Sequence, residues 1–63
     1  MASYRARTQS GDDISGADFD NNDDAMVWAS KLVTKDRNPV ILERRTGEST
    51  WEYVGTFNRT VRD

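Results

Sequence analysis

Six aspartates fall between residues 12 and 24: Asp12, Asp13, Asp18, Asp20, Asp23 and Asp24. Carboxylates at this density can hold a hard cation, work as an acid–base pair, or present a charged surface to a partner. The cation reading has one local argument, since Asp18-x-Asp20-x-Asn22 matches the first ligands of a calcium-binding loop. The match ends there. Asp23 stands where such a loop needs its turn glycine and Ala29 where it needs a bidentate glutamate, so the acids read as the charged start of a helix. Acid–base hydrolysis needs a pocket that drives two carboxyl pKa values apart, and 63 residues leave little interior from which to carve one. Nucleophilic chemistry is worse placed: the chain has no His and no Cys, and its only lysines, Lys31 and Lys35, fall at an exposed helix end. We expect no enzyme, no catalytic residue, no metal and no cofactor.

The second constellation is Arg5, Arg7, Arg44 and Arg45 with Trp51 and Tyr53. Converging on one sheet face or edge, they would form a platform for RNA or single-stranded DNA, with cations for phosphates and rings for stacked bases. The same residue types also make protein-binding hot spots. The plainer expectation is that at least one of Trp51 and Tyr53 is core, facing Trp28 and Leu32. A sequence pI near 4.9 argues against general nucleic-acid affinity, which is mostly phosphate neutralisation.

The elements that position these groups follow from periodicity. Tyr4-Arg5-Ala6-Arg7-Thr8 alternates with period two and reads as a strand. Ser10-Gly11-Asp12-Asp13 is turn chemistry, and Ile14–Phe19 returns as a second strand. The apolar parity of that run switches at Gly16, which predicts a bulge there. Asn21 and Asn22 with Asp23 and Asp24 start a helix, and Ala25, Trp28, Ala29 and Leu32 form its apolar stripe, with Val33 at the edge. The expected helix runs from about Asp23 to Thr34, closed before Pro39. Val40–Arg45 is a third strand, Thr46–Ser49 a hairpin turn with Gly47 taking a positive φ, and Thr50–Phe57 a fourth strand with Trp51, Tyr53 and Phe57 on one face. The result is an α+β, two-layer ββαββ domain: a four-stranded, mainly antiparallel sheet with one helix on one face. Its expected core is Tyr4, Ala6, Ile14, Phe19, Ala25, Trp28, Ala29, Leu32, Ile41 or Leu42, Trp51 or Val54, and Phe57.

Residues 1–63 are read as a single domain, with termini 1–2 and 59–63 fraying. A domain this small, without disulfide or metal, must be stabilised by packing, local propensity or self-association, so monomer and homodimer both stand. The longest apolar run, Pro39–Leu42, is strand-sized, and Met1–Arg5 leads into no secretion signal. With no Cys, these features suit a cytoplasmic location. Asn58-Arg59-Thr60 fits a glycosylation sequon, a match too short to weigh. Charge is asymmetric: residues 1–30 carry two arginines against the six aspartates, and the second half is net basic. In a folded domain the halves interleave, and the plain reading is a mixed solvated surface.

Two partial likenesses fail on layout. Trp51–Phe57 resembles the last strand of three-stranded DNA-binding domains of plant ethylene-response factors and phage integrase arms, but there the strand leads into the helix, which here lies earlier. Trp28 and Trp51 resemble the tryptophan pair of the WW module, but Trp28 sits on a helical stripe and no proline follows Trp51. In layout alone the chain resembles phage-encoded accessory proteins, some of which inhibit host enzymes; no motif carries this. By elimination the expected function is that of a small non-enzymatic module, an inhibitor or regulator binding another protein through Asp12, Asp13, Asp18, Asp20, Asp23 and Asp24. The alternative is nucleic-acid binding through Arg5, Arg7, Arg44, Arg45, Trp51 and Tyr53.

Overall fold

A computed structural model describes residues 1–58 of the chain. The elements are β1 (Ala2–Thr8), β2 (Asp13–Phe19), α1 (Asn22–Lys31), β3 (Val40–Arg45) and β4 (Trp51–Phe57). The strands form one antiparallel sheet in the order β2-β1-β3-β4, and α1 lies on one face of it. This is the ββαββ architecture that the alternation of periods implies. Ala2 is the first residue of β1, and residues 59–63, with most of the sequon, lie outside the described residues.

The register sorts side chains between a helix-covered face and an open one. Tyr4 and Ala6 on β1 stand opposite Arg44 and Leu42 on β3, and Thr8 stands opposite Val40. Tyr4, Ala6, Val40 and Leu42 are buried with Ala25, Ala29 and Val33 from the helix and its exit. Ala25 and Ala29 are small enough to let the helix axis approach the sheet. Ile14, Phe19, Trp28, Leu32, Val54 and Phe57 pack around this cluster half-buried. Of the paired alternatives, Leu42 and Val54 face the core, and Ile41 and Trp51 do not. Val40 shares Leu42's parity and is as fully buried.

Both edge strands carry a bulge. Opposite Ala6 and Arg7, β2 offers Ser15 and Asp13, so Ile14 is the inserted residue. The bulge therefore lies at Ile14, two residues before the expected Gly16, which sits in regular register opposite Arg5. On β4, Gly55 and Tyr53 stand opposite Leu42 and Glu43, leaving Val54 inserted. That insertion flips the parity of the strand. Phe57 goes to the helix side, while Trp51 and Tyr53 go to the open face, so the three aromatics do not share one face. At both sites the extra residue is apolar and packs against the core, which offsets the ladder interruption.

The helix starts as its capping residues dictate. The Asn21 side chain accepts the Asp24 N–H at 2.8 Å and donates back to the Asp24 carboxylate at 3.4 Å, satisfying an otherwise orphan donor. The helix ends at Lys31, three residues short of the expected Thr34. Thr34 and Arg37 exchange both backbone hydrogen bonds, at 3.3 and 3.2 Å, and the Thr34 hydroxyl also takes the Arg37 N–H. That turn competes with helix continuation. The β1–β2 turn holds the positive φ, Gly11 at 99°. Gly47 has none. A Cβ there would meet Thr50 Oγ1 at 2.6 Å, so this glycine is explained by close approach.

Candidate functional site

The arginine and aromatic set is divided by the sheet. The strand alternation places Arg5, Arg7 and Arg45 on the open face with Trp51 and Tyr53, and Arg44 on the helix side beside Tyr4 and the helix start. The four arginines therefore do not converge. Five carbonyl or carboxylate groups already engage those on the open face. Arg5 Nε donates to Glu43 at 2.7 Å, and Arg7 reaches the same carboxylate oxygen at 3.4 Å and Asp13 at 3.3 Å. Arg7 also donates through Nε and Nη2 to the Gly11 carbonyl, which ties the strand to its turn. Arg45 donates to the carbonyls of Gly47 and Glu48, bracing the β3–β4 turn.

The rings are similarly engaged. The Arg5 guanidinium lies 4.1 Å from the centroid of Trp51, which occupies one face of that ring. Tyr53 is 61% exposed, and its hydroxyl shares a 2.6 Å hydrogen bond with Thr56. Neither aromatic is core facing Trp28 and Leu32; the bulge at Val54 turns both away. Glu43 is the hub of this face, and the sequence pattern offered no signal for it beyond its place between Leu42 and Arg44.

The acidic set has a different geometry. All six aspartates come from the segment between Arg7 and Lys31, which contains no basic residue. That segment builds β2, an outer strand of the sheet, and α1. Asp12 and Asp13 stand at one end of β2, Asp18 near the other, and Asp20, Asp23 and Asp24 continue around the start of α1. They line one edge of the domain across both layers, not one face. All six are exposed. Among the described residues only Asp13 is ion-paired, through Arg7. Arg44 stands beside Asp20 and Asp23, leaving that end acidic on balance.

Next to this edge lies an apolar hollow between β2 and α1, lined by Phe19, Val27 and Trp28 with Asp24 and Lys31 at its rim. Phe19 anchors it. Its ring lies 6.0 Å from that of Tyr4, edge-on, and 5.5 Å from that of Trp28. Tyr4 in turn donates its hydroxyl to Asn22 Oδ1 at 2.6 Å, fixing the helix start above the sheet. Val27 remains 55% exposed. The helical stripe alone puts Trp28 wholly in the core and gives no sign of the hollow, which exists because the indole is only half-buried.

Among the described residues no charged side chain is buried, no group of carboxylates is arranged to hold a metal, and no helix is long and apolar enough to cross a membrane. Comparison with protein-family models, curated proteins and solved structures finds no match for this chain.

Proposed function

We propose that this chain is a non-enzymatic protein-interaction module, a regulator or inhibitor that engages a basic site on another protein through its acidic edge. The observation that carries this reading is a contrast in neutralisation. The open-face arginines Arg5 and Arg7 are matched within the fold by Glu43 and Asp13, whereas Asp18, Asp20, Asp23 and Asp24 have no ion-pair partner among the described residues. Charges compensated internally contribute little to steering. Those left uncompensated on one side set the field a partner meets. An acidic edge of this kind also suits competition with nucleic acid for a basic site, and the absence of Cys suits action in the cytoplasm.

The test is capture from the native host with tagged protein, before and after nuclease treatment. The expected result is a protein retained after nuclease and released by salt. Capture that vanishes with nuclease would refute a protein partner and favour the nucleic-acid reading, in which Arg5, Arg7, Arg45, Trp51 and Tyr53 form the contact.

A further inference from the structure

We propose that the partner docks as an extended basic segment, adding a strand to the outer side of β2 and seating an apolar side chain in the hollow of Phe19, Val27 and Trp28. This deepens the acidic-edge reading and rests on it. Three observations lead there. First, β2 ends the sheet, and among the described residues no strand pairs with its outer side, so its backbone is a template for a further strand. Beyond the bulge at Ile14, Ser15–Phe19 is a regular run in register with β1. Second, the hollow opens beside the Phe19 end of that run, where alternate side chains of an added strand would pass. Third, the charge selects the occupant.

A second copy along the same edge would bring Asp12 and Asp13 of one chain up to Asp18 and Asp20 of the other, and like charges across a ladder repel. The segment from Thr8 to Ser30 has no basic residue to relieve them. An extended partner with Lys or Arg at alternate positions meets Asp13 and Asp18 along the strand and Asp20, Asp23 and Asp24 at its end. Its intervening apolar residues face the helix side, where Phe19 and Trp28 lie. The other edge, β4, offers one acid, Glu52, and no such match.

The experiment is an amide NMR titration of the full chain with a short synthetic peptide alternating Lys and Val. Two comparison peptides accompany it: the same sequence N-methylated on alternate backbone nitrogens, and a Glu–Val version. The expected result is that shifts and new exchange protection concentrate at Ser15–Phe19, Val27 and Trp28. N-methylation, which removes a pair of ladder hydrogen bonds, should weaken binding about tenfold or more, and the Glu–Val peptide should not bind. Protection appearing on β4, or absence of Lys–Val binding, would overturn the proposal. Equal binding of the methylated peptide, lost in Asp20→Asn/Asp23→Asn/Asp24→Asn, would overturn strand addition yet leave the acidic-edge reading standing. If host capture is also unaffected by that triple variant, the acidic-edge reading falls as well.

Discussion

The two edges of the sheet solve the same backbone problem with different side chains. Each outer strand carries a bulge whose extra residue, Ile14 on β2 and Val54 on β4, packs towards the helix. Bulges twist an edge and discourage regular pairing where they lie; on β2 the bulge leaves Ser15–Phe19 regular. From there the edges diverge. The β2 side is built from the segment holding six aspartates and no basic residue, and it opens onto an apolar hollow. The β4 side shows aromatic rings already occupied, Trp51 under Arg5 and Tyr53 bonded to Thr56. The lesson is that a charged residue's role depends on whether the fold has already matched it. Arginines look like a binding platform in sequence, but here Arg5, Arg7 and Arg45 hold β1, β3 and the turns together.

The largest effect should come from the point both edges depend on. Leu42 is fully buried on a central strand, and Leu42→Ala should cost roughly 2–5 kcal/mol, enough to unfold so small a domain. Circular dichroism in urea should show the folded baseline lost or the midpoint sharply lowered. A near-normal midpoint would mean that the core lies elsewhere. Trp28→Ala should fall below the roughly 3–5 kcal/mol expected of a fully buried aromatic ring, because the indole is only half-buried. If it proves as costly as Leu42→Ala, the hollow is a core element and not a surface feature.

Smaller effects separate the edges more finely. Asn21→Ala removes the cap that orders the acidic helix start and should cost about 1 kcal/mol, read as a lowered urea midpoint. Loss of a comparable amount on mutating Ser30 instead would put the helix's weak point at its other end. Glu43→Gln removes the ion-pair partner of Arg5 and one of the two held by Arg7, and should cost at most about 1 kcal/mol, an effect that shrinks as salt is added. The variant also sharpens the contrast directly, since among the described residues it leaves Arg5 without a carboxylate and Arg7 with Asp13 alone. Weak oligonucleotide binding should appear in Glu43→Gln and be absent in the wild type, as read by fluorescence anisotropy.

Much of the architecture was legible because local signals agree with it. The period-two runs, the asparagine cap with acids after it, and the Ala25–Trp28–Ala29–Leu32 stripe each specify one element. What escaped were the features that depend on pairing. The bulge at Val54 is set by how β4 lies against Leu42 and Glu43, and nothing in Trp51–Phe57 alone announces it. A strict alternation therefore put Phe57 with Tyr53. The expected helix overruns because Val33 extends the edge of the apolar stripe and Pro39 is the stop signal in the sequence, while the Thr34–Arg37 turn that ends it earlier is a loop interaction. The acidic residues were visible at once, but their placement along an edge follows from strand order. That order is fixed by β1 pairing with β3, a contact between distant parts of the chain.

Which charges are free to recognise a partner can be read from one comparison of variants. The protein captured from the host should be titrated against Asp20→Asn/Asp23→Asn/Asp24→Asn and, separately, against the open-face variant Arg7→Ala/Arg45→Ala, each first shown to be folded. The acidic-edge account predicts that the aspartate variant loses most of the affinity and the arginine variant retains it. Affinity abolished by the arginine variant and kept by the aspartate variant would contradict it.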